Sequence, residues 1–324
     1  MKNSLELRNV TIRFGGLTAV NDFSMAIPKG SIAGLIGPNG AGKTTAFNVI
    51  TGFYRPTSGS VYFNDELIGA PPRFTKMQSL LCSLAFLGMG GLLGAGVWKV
   101  LDMLALGAYL PFLLVVFATA FGGLFLGTLC LERGKAPHSI CKSGIARTFQ
   151  NIRLFATETV LENVFLGTKV RQKSMWWMPI LRWPSWKKEE ISMREKCMTL
   201  LERLELADVA HQKAGGLPYG AQRRLEIARA LATEPSFLLL DEPAAGMNPQ
   251  ESTELMELIT SIAKDFDITI LLIEHDMKVV MGVCDRIWVL EYGSCIAEGT
   301  PEEIRNNKRV IEAYLGEEYV HAQD

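Results

Sequence analysis

The nine residues Gly37-Pro38-Asn39-Gly40-Ala41-Gly42-Lys43-Thr44-Thr45 follow the apolar stretch 31–36 and fill every fixed position of GxxxxGK[ST]. Glycines at this spacing let backbone N–H groups converge on phosphate oxygens, and a helix starting at the loop's end adds its positive pole. Lys43 is expected to reach the β- and γ-phosphates of a nucleoside triphosphate, with the Thr44 hydroxyl on Mg2+. A second constellation is Phe237-Leu238-Leu239-Leu240-Asp241-Glu242, an apolar strand ending in two adjacent carboxylates. Asp241 suits Mg2+ coordination, and Glu242 suits polarising an attacking water as general base.

Three single residues extend this chemistry. His275 ends a further apolar run in IEHD, where an imidazole would touch the γ-phosphate and hold the water against Glu242. Gln150, in GIARTFQN, carries an amide suited to sensing both Mg2+ and the water. Phe14 lies 23 residues before Gly37 and is an aromatic available to stack on adenine. Each has a plainer reading: a structural histidine, a solvated amide, a core aromatic. The stretch Leu217-Pro218-Tyr219-Gly220-Ala221-Gln222 is a glycine-bearing turn running into a basic amphipathic helix, RRLEIARAL. It is suited to gripping the nucleotide of another subunit.

These residues need a scaffold that brings several strand ends together. Short apolar runs at 31–36, 237–240 and 268–273 read as strands covered on both faces, and 44–51 reads as the helix after the phosphate loop. A second helix is expected to open at Gln222, Arg223 and Arg224. Strand and helix alternate, which implies a mostly parallel sheet. Residues 5–14, 20–27 and 60–63 read as additional antiparallel strands. The segment Arg171–Glu190, with Trp176, Trp177, Trp183 and Trp186, reads as core of a helical subdomain, with a partner-facing surface as the alternative.

One segment departs from this pattern. Between Met77 and Leu131 the charged residues are Lys99 and Asp102, which separate uncharged runs of 22 and 29 residues. About 20 apolar residues span a bilayer core. Arg73 and Lys76 precede the segment and Arg133, Lys135 and Lys142 follow it, so the positive-inside rule puts both ends in the cytoplasm and the turn outside. Gly90/Gly94 and Gly123/Gly127 form two GxxxG pairs that permit close helix contact. The expected organisation is an ATPase-like domain over 1–74 and 139–324, with 75–138 as an inserted transmembrane hairpin anchored through 77–131. A buried soluble hairpin is the alternative.

Composition sets the outer limits. The 324 residues carry a net charge of −1, which gives no general attraction for nucleic acid. Six scattered cysteines without a CxxC pair argue against a zinc site or a disulfide framework and fit a reducing cytosol. The opening MKNSLELRNVTIRF lacks the apolar core of a signal peptide.

The order Phe14, GPNGAGKTT, Gln150, LPYGAQ, LLLDEP and His275 resembles the ATP-binding cassette (ABC) ATPases: Walker A, Q-loop, signature, Walker B and switch histidine. GIARTFQNIRLF, DEPAAGMNP, IEHDMKVVM and VIEAYLGEE are similar to the ATPase subunits of branched-chain amino-acid importers. The resemblance implies an α/β P-loop nucleotide-binding fold, with a mostly parallel sheet, an antiparallel β subdomain and a helical subdomain. It also implies ATP and Mg2+ as ligands, and head-to-tail dimerisation with a paralogous ATPase at the cytoplasmic face of the inner membrane. A membrane permease and, indirectly, a periplasmic or extracellular binding protein complete the expected assembly. Three features depart from the general cassette: Pro218 and Ala221 stand where serine and glutamine are usual, Asn248 replaces a frequent aspartate, and the hydrophobic segment lies between Walker A and the Q-loop. Proline has no N–H and no hydroxyl to offer a γ-phosphate. A weakly hydrolytic scaffold, or an importer of another small polar solute, is therefore the competing reading. A translation or repair cassette would bring a second cassette or a coiled coil, and a self-contained exporter would bring more spans.

Overall fold

A computed structural model describes residues 2–71, 117, 134–174, 178, 183–275 and 277–321. Two sheets organise it. β1 (Asn3–Phe14), β2 (Leu17–Pro28), β4 (Ser58–Phe63) and β5 (Glu66–Gly69) form an antiparallel sheet in the order β2-β1-β4-β5. The second sheet has the order β10-β9-β3-β8-β7-β6. In it, β3 (Ile32–Ile36), β6 (Ile145–Arg147), β7 (Phe237–Asp241), β8 (Thr269–Ile273) and β9 (Arg286–Glu291) run parallel, while β10 (Ser294–Gly299) pairs antiparallel with β9.

Side chains alternate across a strand, and here both faces of the parallel sheet are covered. Leu238, Leu240, Ile270 and Leu272 enter one apolar cluster, whereas Phe237, Leu239, Leu271 and Ile273 enter the other. The first cluster joins the sheet to α3 (Val160–Thr168), α4 (Pro184–Arg203) and α5 (Tyr219–Leu231). The second joins it to α1 (Lys43–Ile50) and the antiparallel sheet. This two-sided burial is why the strands read as unbroken apolar runs rather than as alternating ones.

Several expectations shift on contact with the structure. α5 begins at Tyr219, three residues before Gln222. Pro218 supplies the fixed φ (−56°) of its N-cap, which offsets the helix-breaking tendency of Gly220. The two described tryptophans are not core: Trp183 is half exposed and Trp186 only partly buried at the start of α4. Cys197 and Leu201, near its far end, are its buried residues. Trp176 and Trp177 lie outside the described residues.

The hydrophobic hairpin also lies outside the described residues, apart from Phe117 and its margin. There, Lys135 N donates to Ile68 O at 2.9 Å and Lys135 Nζ pairs with Glu66 at 2.6 Å. α2 (Pro137–Ser143) then leads into β6. Gly134 and Lys135, expected as part of the hairpin's end, thus lie against β5, while Pro137 and His138 open α2. Among the described residues no helix is long and apolar enough to cross a membrane.

Candidate active site

Parallel strands deliver their C-terminal ends to one edge of the sheet, and the predicted chemical residues follow those ends. β3 leads into the phosphate loop, β6 into Gln150, β7 into Asp241 and Glu242, and β8 into His275. β8 lies between β3 and β7, so the histidine's strand separates the loop's strand from that of the two carboxylates.

Two of the loop's glycines, Gly37 and Gly42, are required by close approach. A Cβ on Gly37 would sit 2.1 Å from Leu290 O, and one on Gly42, at φ 101°, would sit 2.5 Å from Ala19 O. Ala41 is buried, and its carbonyl accepts from Gly293 N at 3.0 Å, which ties the loop to the β9–β10 turn. Lys43 is buried, and its Nζ donates to Gly37 O at 2.5 Å and Pro38 O at 3.0 Å. Asn39, Gly40 and Thr44 are exposed, with Pro38 and Thr45 partly so. Phe14, close to half exposed, meets Tyr54 edge-on at 5.1 Å between centroids.

An open cleft of about 580 Å³ gathers Phe14, Asn39–Thr45, Gln150 and Glu242. Gln150 Nε2 donates to Glu242 Oε2 at 2.8 Å across that cleft. Glu242 itself adopts φ 47°, a conformation uncommon for a non-glycine residue, and its N donates to Ile273 O at 2.9 Å. The cleft also contains Tyr292, an exposed side chain at φ 45° in the β9–β10 turn, which the sequence reading did not single out.

Asp241 is buried, and Arg147 NH2 donates to its Oδ2 at 2.7 Å while NH1 donates to Asn48 Oδ1 at 2.7 Å. Arg147 therefore joins the helix of the phosphate loop to the carboxylate strand. Burial pushes the Asp241 carboxyl above the ordinary carboxylate range, against the pull of the Arg147 guanidinium. His275 is exposed at the end of β8, outside the residues that line the cleft; its Nδ1 is 3.6 Å from Glu274 Oε2. Glu274 is fully buried, and its Oε1 accepts from Ala244 N at 2.8 Å, which fixes the turn after Glu242 to the histidine's strand end. Burial raises the Glu274 carboxyl as well.

Thr44, Gln150 and Asp241 offer hydroxyl, amide and carboxylate oxygens, the hard donor set that Mg2+ takes beside substrate phosphates. Here Gln150 engages Glu242 through Nε2, and Asp241 engages Arg147 through Oδ2 and does not line the cleft, so the set fits in the chemistry of its donors.

The signature turn lies away from the cleft. Leu217 is buried, while Pro218 and Tyr219 are exposed and a Cβ on Gly220 would meet nothing within 4 Å. Gln222 Nε2 donates to Leu217 O at 2.8 Å, and Ala221 packs on the helical cluster. No side chain caps the start of α5, and its first turn has no acidic residue. The unpaired first-turn amides and the helix's positive pole therefore face outward.

Arg147, Arg223, Glu226 and Glu274 went unassigned in the sequence. A signal existed for Arg147, Glu226 and Glu274: a charge inside or ending an apolar run, as in Leu225-Glu226-Ile227 or Ile145-Ala146-Arg147, asks for a buried partner, whereas Arg223 stands between Gln222 and Arg224.

Comparison with known proteins places this geometry. The chain matches the ABC transporter family model over residues 20–84 and 127–245. A second model, branched-chain amino acid ATP-binding cassette transporter, matches residues 294–320. It is 39% identical over 313 residues to the high-affinity branched-chain amino acid transport ATP-binding protein LivG of Escherichia coli (strain K12), covering 97% of this chain and 98% of that protein. Over 313 residues it is 36% identical to the corresponding protein BraF of Pseudomonas aeruginosa, with the same two shares covered. A crystal structure of an ATP-binding cassette of an ABC transporter, in its ADP conformation, superposes with a TM-score of 0.69 at 27% identity, covering 98% of this chain and 100% of that one. A nucleotide-free cassette gives 0.67 at 28% identity, covering 96% and 98%.

Proposed function

Since this chain belongs to the ABC transporter ATPases of the branched-chain amino-acid importers, we propose that it binds ATP in the cleft between Phe14 and Glu242 and hydrolyses it to drive import through a separate membrane permease. The observation that carries this reading is the division of the surface. Phe14, the phosphate loop, Gln150 and Glu242 share one cleft, whereas the signature turn 217–222 faces elsewhere. A chain built so needs a second ATPase to complete each nucleotide site.

In that assembly Lys43 and the loop amides hold the triphosphate, and Phe14 stacks on the base. Thr44, Gln150 and Asp241 hold Mg2+, which supplies charge neutralisation on the phosphates when bound. Glu242 orients and deprotonates the attacking water, and His275 contacts the γ-phosphate once the partner closes the site. The other ATPase is a paralogue, an extracellular binding protein delivers the solute, and the dimer works at the cytoplasmic face of the inner membrane.

The two sites are unequal in this reading. The one that uses Lys43, Asp241, Glu242 and His275 receives the partner's signature and is fully equipped. The other receives Pro218, and loss of one donor to transition-state charge slows hydrolysis on the order of 100- to 1,000-fold. Gly220 and the uncapped amides of α5 still bind the phosphate there. Pro218→Ser is expected to accelerate the slow phase of single-turnover hydrolysis by at least about tenfold while leaving the fast phase alone. An unchanged slow phase would remove the asymmetry.

Residues 77–131 act in this account as a membrane anchor beside the permease. The ABC transporter model passes over 85–126 within that segment, and Arg73, Lys76, Arg133 and Lys135 flank it. Expressed without its permease, the chain is expected to stay with the membrane fraction through an alkaline carbonate wash. Complete release into the supernatant would remove the anchor.

A further inference from the structure

Arg223 and Glu226 lie one turn apart on α5, and both side chains are buried, at 0% and 1% exposure. A buried ion pair gains little net stability, because desolvation of both charges offsets their attraction. Arg223 Nε, moreover, has no partner among the described residues. Apolar side chains of similar volume would serve packing at least as well, so the pair calls for another reason, and its hydrogen bonds supply one.

Arg223 NH1 donates to Glu226 Oε2 at 2.8 Å and to Phe149 O at 2.8 Å; NH2 donates to Gln150 O at 2.9 Å and, more weakly, to Glu242 O at 3.4 Å. Glu226 Oε1 accepts from Phe149 N at 3.2 Å. The guanidinium thus holds the backbone carbonyls of the two residues whose side chains meet in the cleft, Gln150 and Glu242. It sits on the helix whose first turn is the signature, and its NH2 lies 3.5 Å from the Tyr219 hydroxyl of that turn.

We propose that Arg223, held in place by Glu226, is a positioning residue for hydrolysis: it sets Gln150 and Glu242 against each other and joins them to the signature helix of the same chain. The planar fork of a guanidinium is what the geometry uses, since NH1 meets Glu226 and Phe149 O while NH2 reaches Gln150 O and Glu242 O. A signature turn displaced by the nucleotide it grips in the opposite site would carry Arg223 with it and shift Glu242 in its own. The inference rests on the assignment of Glu242 as the general base.

The test uses the assembled transporter. Arg223→Lys keeps the charge beside Glu226 and loses the fork. Its kcat for ATP is expected to fall at least about tenfold, with the KM for ATP within about twofold, since misplacement by an ångström costs that much or more. In a Glu242→Gln background the same substitution is expected to change the residual rate by less than about twofold, because a residue acting through Glu242 has nothing left to position. A merely structural role would lower the melting temperature and leave kcat alone. A full wild-type kcat, or an equal fold-loss in both backgrounds, overturns the proposal. Should Arg223→Lys fail to fold, the volume-conserving pair Arg223→Met/Glu226→Leu takes its place, with the same expected fall in kcat, and full activity there overturns it equally. Normal hydrolysis by Glu242→Gln would remove the assignment of Glu242 itself. A full-rate Arg223→Lys beside an inactive Glu242→Gln would remove the positioning role alone.

Discussion

Glu242→Gln is expected to lower steady-state ATP turnover by the assembled transporter at least about 100-fold, with little change in the KM for ATP. The substitution is nearly isosteric. It keeps the backbone bond from residue 242 N to Ile273 O, and an amide oxygen can still accept from Gln150 Nε2. What disappears is the capacity to take a proton from water. The loss should therefore appear in kcat, with the nucleotide held unhydrolysed, and the melting temperature should stay within a few degrees. Phosphate release measured under saturating Mg-ATP reads the effect directly. Turnover within threefold of the unaltered protein would mean that another group activates the water.

Lys43→Ala should abolish tight nucleotide retention instead of the chemical step. The ammonium is buried and held by Gly37 O and Pro38 O, so it already stands at the centre of the loop. An arriving phosphate offers charged oxygens in exchange for neutral carbonyls, and hydrogen bonds to charged groups contribute about 1.5–3 kcal/mol each. One such bond lost corresponds to a Kd weaker by roughly 10- to 150-fold. Removing a buried ammonium also removes its desolvation cost, so the fold should tolerate the change. Equilibrium binding of a fluorescent ATP analogue, with thermal melting as the control, separates the two. Unaltered affinity in a folded Lys43→Ala would contradict the role given to the loop.

Much of this site was legible because its residues sit at sequence positions that local rules mark. The apolar runs ending at Ile36, Asp241 and Ile273 proved to be central strands, and the glycine spacing of 37–42 proved to be a close-packed loop. What escaped was non-local. Arg147 finds Asp241 94 residues away, and Arg223 finds Phe149 and Gln150 74 and 73 residues away. No periodicity announces such partners. The insertion of β8 between β3 and β7 is likewise a matter of sheet order, which strand propensity does not encode. Tyr292 escaped for a different reason: its turn needs φ > 0 at two successive residues, where Asn-Gly is the favoured pair, and Tyr-Gly does not read that way. Local rules also misplaced the start of α5, because Gly220 weakens the apparent helix that Pro218 in fact initiates.

The central claim is that this chain contributes one complete hydrolytic half-site and one signature weakened by Pro218. Single-turnover hydrolysis in the assembled transporter, with both sites loaded with labelled ATP, tests it most directly. The account predicts two phases of equal amplitude whose rates differ on the order of 100-fold or more, with Glu242→Gln in this chain erasing the fast one. Two indistinguishable phases, or a fast phase that survives Glu242→Gln, would contradict it.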